Sequence, residues 1–263
     1  MNKRKFSDTI KFGAHLSLGD PGCLNEIIND CQINSIQIFI SNPRSFNPVF
    51  SDKSRENLKK LIAAGINVCA HMPYVVNLAS RDESLRKKSV EHVIAAVKAS
   101  SELSLCYYVV HPGSGPYEIF LDSARALTAG TSGCKTGLLI ENTEGSGNKL
   151  MAGFDLIEKF IADIEGRIGF CWDTAHAFGA GADTLKMPKA IKKLVRLVHL
   201  NDSKMPFASK KDRHEGFSLG LIGRANIEKI LNMFGISPIY IIEREGREAT
   251  FDDLQFIRRA LSN

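Results

Sequence analysis

The chain has 263 residues, of which 44% are hydrophobic and 24% charged, and a formal net charge of +5. This is an ordinary globular composition, long enough for a large buried core and close to the roughly 250 residues of a (β/α)₈ barrel. No apolar run approaches the ~20 residues a membrane helix needs, and the basic start at residues 1–5 is followed by no apolar leader, so a cytoplasmic protein is expected. Six scattered cysteines without a CxxC pair argue against a disulfide framework and a thiolate zinc site, which leaves histidine and carboxylate as metal ligands.

In chain order, residues 11–17 (KFGAHLS) predict a first strand and residues 23–31 its helix. Residues 35–40 (SIQIFI) predict the second strand, followed by a polar loop over 41–48. Asp52 is the expected cap of a helix running to Ala64, with Gly65 as its stop. A third strand is expected over 67–71, a long amphipathic helix over 83–103, a fourth strand over 105–111 (LCYYVVH) and a helix over 116–129. The fifth strand is expected over 137–141 (GLLIE) with a helix over 154–164, and the sixth strand over 167–172 with a helix around 188–193. The seventh strand is expected over 194–200 with a helix over 225–234 after Gly223, and the eighth over 238–243 (PIYIIE) before a closing helix over 251–261.

Eight strand-then-helix units with nearly all-apolar strands and no linker between halves predict a parallel sheet closed into one barrel, a single domain spanning 1–263. An open doubly wound sheet is the alternative, but no glycine-rich phosphate fingerprint follows the first strand.

In such a barrel every strand ends at the same rim, where active sites are assembled. The residues at the ends of the third to eighth strands are His71, His111, Glu141, Asp173, His199 and Glu243. One polar strand end is more often a hydrogen-bonded structural residue, but six in succession make a ligand ring. In FCWDTAHAFGAG, Asp173 and His176 are expected on a loop, and the DRH triplet adds Asp212 and His214 on one side of an extended segment. With His176 these two make a three-ligand set. Of the remaining histidines, His15 at the first strand's end is a candidate supporting residue, and His92 reads as a helix-surface residue.

Five histidines and four carboxylates exceed what one ion needs, and imidazole with carboxylate suits zinc. Glu141, flanked by histidines and acids, is placed to bridge two ions. Metal pairs about 3.5–4 Å apart serve in-line displacement at phosphorus, so the expected chemistry is metal-assisted phosphoester hydrolysis. Acidic residues spent inside such a site leave the outer surface more positive than the total charge, which suits a polyanionic partner.

The motifs AHMPYVVNLAS (70–80), VVHPGS (109–114), IENTEGSG (140–147), CWDTAHAFGAG (171–181), HLNDSK (199–204), KDRHEG (211–216) and IIERE (241–245) resemble the endonuclease IV family, zinc-dependent apurinic/apyrimidinic endonucleases. The resemblance runs from GAHLS at residue 13 to the eighth strand. It implies a xylose-isomerase-like TIM barrel with three zinc ions. His71 and His111 would hold the first and share Glu141 with the second, which Asp173, His199 and Glu243 complete; His176, Asp212 and His214 would hold the third. Glu141 and Glu243 stand as the candidate catalytic carboxylates.

The implied reaction is hydrolysis of double-stranded DNA 5′ to an abasic site, leaving a 3′-hydroxyl and a 5′-deoxyribose phosphate, with trimming of blocked 3′ ends. A monomer without protein or membrane partners is expected. Arg44 in the NPRSF segment resembles an arginine inserted at the abasic position, and Tyr74–Val75 the tyrosine–leucine wedge that separates the strands. The sequence departs from the family pattern at four places. Val75 is shorter than leucine, residues 217–221 replace a Gly-Glu-Gly-like turn, Ala208 stands where glycine is common, and Arg244 follows Glu243 in place of a small polar residue.

Two other readings remain open on the residues. A sugar isomerase or epimerase on a related barrel would use Glu141, Asp173, His199 and Glu243, without needing His71, His111, Asp212 or His214 as ligands. A non-catalytic binder of damaged DNA would keep the fold and lack turnover.

Overall fold

Strands that are apolar at nearly every position must be covered on both faces, because successive side chains point to opposite sides of a sheet. The computed structural model describes residues 10–17, 21–47, 51–164, 168–244 and 247–260. Its barrel strands are β1 (Lys11–His15), β2 (Ser35–Phe39), β3 (Asn67–His71), β4 (Tyr107–Val110), β5 (Gly137–Glu141), β6 (Gly169–Asp173) and β7 (Val195–His199). A ribbon of β8 (Asp202–Ser203) and β9 (His214–Glu215) comes next, and β10 (Ile239–Ile242) is the last barrel strand. The barrel strands pair in parallel in chain order and β10 closes back onto β1, while β8 and β9 pair antiparallel outside the barrel.

The outer layer consists of α1 (Pro21–Cys31), α2 (Asp52–Ala63), α3 (Glu83–Glu102), α4 (Tyr117–Gly130) and α5 (Phe154–Asp163), then α6 (Thr174–Ala180), α7 (Lys189–Lys192), α8 (Arg224–Phe234) and α9 (Arg247–Ala260). Among the described residues no helix is long and apolar enough to cross a membrane. The expected (β/α)₈ barrel is the observed fold. Residues 1–5, Pro48, Arg167, Glu245, Leu261 and the Cys23 thiol lie outside what is described.

Three local expectations are corrected. Ser51, not Asp52, caps α2: its hydroxyl accepts the Ser54 N–H at 3.1 Å, and Asp52 is the first helical residue. Asp173 and His176 are not on a loop, because Asp173 ends β6 and at once caps α6, which His176 belongs to. His92 is half-buried rather than on the helix surface, 3.2 Å from the Ser41 hydroxyl and against the Phe46 ring.

The core has two parts. Between barrel and helices lie the large buried side chains, Trp172, Tyr108, Tyr240, Phe170, Ile36 and Ile38 among them, each contributing about 1.5–3 kcal/mol of burial. Inside the barrel, Cys69, Val109, Leu139, Cys171, Leu197, Ile239 and Ile241 form a separate plug. At Gly13 a Cβ would sit 1.6 Å from the Ser35 carbonyl oxygen, so β1 and β2 approach more closely there than any side chain allows.

Candidate metal centre

A period of two fixes what lies above the plug. His71 stands two residues beyond Cys69, His111 beyond Val109, Glu141 beyond Leu139, Asp173 beyond Cys171, His199 beyond Leu197 and Glu243 beyond Ile241. The same step along β1 and β2 leads from Gly13 to His15 and from Ser35 to Gln37. The top interior layer of the barrel is therefore polar from all eight strands, and it rests on an apolar floor. His111 and Glu243 come one residue after β4 and β10 end.

All nine sequence-predicted donors converge in this layer and the loops above it. Glu141 is fully buried at its centre. Its Oε2 lies 3.1 Å from both His71 Nε2 and His111 Nε2, and its Oε1 lies 3.1 Å from His199 Nδ1 and 3.2 Å from His176 Nδ1. One carboxylate thus faces His71 and His111 with one oxygen and His199 with the other, as a bridging ligand must, while the His176 nitrogen near it is the one that also faces the Asn142 carbonyl. His199 Nδ1 also lies 3.4 Å from Glu243 Oε2 and 3.9 Å from Asp173 Oδ2. The Asp212 carboxylate spans the remaining pair, with Oδ2 3.3 Å from His176 Nε2 and Oδ1 3.2 Å from His214 Nε2.

The outer nitrogens decide the chemistry of the inner ones. His71 Nδ1 faces the Met72 carbonyl at 2.8 Å, His176 Nδ1 the Asn142 carbonyl at 3.0 Å, and His214 Nδ1 the Glu243 carbonyl at 3.1 Å. His199 Nε2 faces Gln37 Oε1 at 2.9 Å, and Gln37 Nε2 donates to Glu243 Oε1 at 2.9 Å, which fixes the amide's orientation. A carbonyl only accepts, so each ring carries its proton on the outside and turns a lone pair toward carboxylates. Lone pair against carboxylate is repulsive unless a proton or a cation lies between. His214 Nε2 shows this directly: it is buried without a hydrogen-bonding partner, although Asp212 and Asp173 oxygens lie 3.2 and 3.7 Å away.

The donor set therefore fits a metal. Nitrogen and oxygen donors 3.1–3.4 Å apart match the ~3.4 Å between ligands on one tetrahedral zinc ion with bonds of about 2.1 Å. His71, His111 and Glu141 make one such group, and Asp173, His199 and Glu243 another; Asp173 also lies close to His176 and His214.

Without a cation the imidazoles take the protons instead. Burial disfavours charge on His176, His199 and His214. The surrounding carboxylates and, at His199, the neighbouring Cys171 thiol outweigh it, and His214 rises to about 9. Burial pushes Glu141 and Glu243 upward, but the facing histidines hold both well below the usual carboxylate range. Asp173, buried next to Glu141, is raised.

The outer group depends on loop geometry. The segment before Asp212 lies on α6, with Ala208 N–H donating to the Phe178 carbonyl and Lys210 N–H to the Gly179 carbonyl, both at 2.9 Å. A Cβ at Gly179 would meet the Lys211 carbonyl at 3.1 Å, so glycine permits the approach that brings Asp212 to His176. Ala208, in place of the common glycine, adopts φ +59°, a left-handed conformation that costs an alanine about 1–2 kcal/mol.

Arg44, Tyr74 and Val75 are not in the donor cluster. They lie on two adjacent loops tied by Tyr74 N–H donating to the Pro43 carbonyl at 2.8 Å. Arg44 is exposed, Val75 half-buried, and Tyr74 is 68% exposed. The Phe39 ring packs 5.6 Å from both Tyr74 and His71, so this edge of the rim abuts the donor cluster. His15 Nδ1 lies 3.1 Å from Glu243 Oε1, beside the donors.

Several residues of the site were not singled out from the sequence. Asn201 donates to Asp173 Oδ2 at 2.7 Å and to Glu243 Oε2 at 3.3 Å, and accepts the Glu243 N–H. Asn142 braces β6 by donating to the Asp173 carbonyl and accepting its N–H. Gln37, a lone amide inside SIQIFI, carried a readable signal, and both asparagines follow within two residues of a ligand.

Residues 26–260 match the family described as "Xylose isomerase-like TIM barrel". The chain is 35% identical to "Probable endonuclease 4" of Campylobacter concisus over 92% of this chain and 94% of that one. It superposes on the crystal structure of endonuclease IV from Thermus thermophilus with a TM-score of 0.83 at 30% identity, covering 96% of this chain and 99% of that chain. A D-tagatose 3-epimerase-like protein superposes with a TM-score of 0.81 at 19% identity, covering 96% and 97% of the two chains, a likeness of fold alone. The chain belongs to the endonuclease IV family, nucleases built on the xylose isomerase-like TIM barrel.

Proposed function

We propose that this protein is a zinc-dependent, single-domain apurinic/apyrimidinic endonuclease. It cleaves DNA 5′ to abasic sites, giving a 3′-hydroxyl and a 5′-deoxyribose phosphate, trims blocked 3′ ends, and acts as a cytoplasmic monomer. The observation that carries this reading is the outer donor group: His176, Asp212 and His214 lie against the inner carboxylates through Asp173. A sugar isomerase has no use for that group, nor for His71 and His111 as ligands.

In this reading His71 and His111 would hold one zinc ion, and Asp173, His199 and Glu243 a second. Glu141 would serve both, and His176, Asp212 and His214 would hold the third. Zinc bound there supplies Lewis acidity toward the scissile phosphate and lowers the pKa of water toward neutrality. Gln37, Asn142 and Asn201 keep the donors oriented, and the apolar floor excludes water from below. Arg44 enters the abasic gap while Tyr74 and Val75 act as the wedge that separates the strands, a distortion cheapest where pairing is already lost.

The test is a nicking assay on duplex DNA with one abasic site, run without added magnesium and paired with elemental analysis. Expected are incision on the 5′ side, about three zinc ions per chain, and loss of activity on prolonged chelation. Incision that depends on added magnesium, or tight abasic-DNA binding without incision by the zinc-replete protein, overturns the proposal.

A further inference from the structure

Arg244 follows the ligand Glu243 and lies outside the donor cluster, yet its guanidinium joins three segments. Nη1 donates to Glu215 Oε1 at 3.2 Å, the residue after His214. Nε lies 3.6 Å from Asp253 Oδ2 on α9, and Asp253 Oδ1 accepts the Phe217 N–H at 3.0 Å. Between these contacts the guanidinium lies against Gly216, where a Cβ would meet Nη2 at 3.3 Å. Residues 215–217 are thus held consecutively by a brace rooted at the end of β10.

The same strand end orients His214, whose Nδ1 faces the Glu243 carbonyl at 3.1 Å. Other supports are the two paired residues of β8, the Lys204 N–H donating to the Arg213 carbonyl at 2.9 Å, the Leu221 N–H donating to the Ser203 carbonyl at 2.8 Å, and Asp202, which takes the N–H groups of Ile222 and Gly223 well beyond His214. His214 itself lies 3.7 Å from Asp173 Oδ2 on β6, and for the residues that follow it the ionic tie among the described residues is Arg244.

We propose that Arg244 is a positioning residue for the outer ligand group. By bracing residues 215–217 on the end of β10 it keeps His214 in register with Glu243, and so sets the affinity for the ion shared by His176, Asp212 and His214. This rests on the three-ion reading above. A flexible ammonium is a single point charge, whereas the planar guanidinium donates to Glu215 and pairs ionically with Asp253 at 3.6 Å without a hydrogen bond there.

The experiment titrates zinc-loaded parent, Arg244→Met and Arg244→Lys with a chelator and counts zinc per chain by elemental analysis. It is paired with amide exchange of the zinc-free proteins. In Arg244→Met one ion should leave at roughly 10–100-fold lower chelator strength while the other two are held as in the parent, with Arg244→Lys intermediate. Exchange at residues 214–217 should quicken in the zinc-free Arg244→Met protein. Retention of all three ions at parental chelator strength, loss of the three together, or unchanged exchange at 214–217 overturns the proposal. A parent that binds fewer than three ions overturns the three-ion reading instead, and the exchange measurement, which needs no metal, then decides whether Arg244 braces the segment. Should Arg244→Met fail to fold, Glu215→Gln weakens the same tie and is scored by the same criteria.

Discussion

The histidines of the cluster are aimed from behind. His199 is held by Gln37, which also donates to Glu243, so one amide orients donors from two strands. Replacing it with a side chain of similar length but no polar atoms should cost about 10–100-fold in zinc affinity. Gln37→Leu is therefore expected to lose zinc at lower chelator strength with an unchanged far-UV spectrum, and parental affinity would remove Gln37 from this role. The raised histidines make a second prediction. His214 titrates at about 9 in the folded zinc-free protein against 6.5 when unfolded, so its contribution to stability is fully present below pH 6.5 and is lost as pH climbs through about 9. The melting temperature of stripped protein should therefore fall between pH 6.5 and 9.5, while zinc affinity rises over the same interval because fewer protons compete. Calorimetry of zinc uptake near pH 7, in buffers of different ionisation enthalpy, should show net proton release. A flat melting profile together with no proton release would contradict both.

At the scale of elements, β1 and β2 leave no room for a Cβ at Gly13. Gly13→Ala must push β1 away from the Ser35 carbonyl, a displacement at or beyond the upper end of the ~1–3 kcal/mol usual for overpacking. Denaturant unfolding of the zinc-free variant should show that loss, and a variant as stable as the parent would mean that the strands can separate freely. The barrel was legible in the sequence because its strands are buried on both faces and read as unbroken apolar runs. The ligand ring was legible because polar residues end those runs. What escaped the reading was shorter than its signals. The β8–β9 ribbon has two residues per strand, too few for any periodicity. The helix α6 was hidden by its glycines and alanines, although Asp173 accepts the His176 N–H at 2.7 Å as a cap and Gly181 ends the helix at φ +81°. The outer ligand group was legible as residue types and not as geometry, since its assembly depends on loop contacts such as those of Gly179 and Ala208.

For the whole molecule, access to the donors is graded. Glu141, Asp173 and His199 are fully buried, whereas Asp212 is 41% exposed. On the three-ion reading, slow dialysis against chelator should remove the ion held by Asp212 and His214 first and the two that share Glu141 later. Stopping at intermediate times should yield protein with two ions and residual DNA binding, whereas simultaneous release of all three would show that the gradient does not govern the site. Beneath the cluster, seven packed aliphatic and thiol side chains, with Ser35 of β2 beside them, form a buried floor. The barrel is in effect a well with a single mouth, shared by cations, solvent and nucleic acid. A bound duplex would then act as a stopper, so metal exchange should slow whenever substrate is seated.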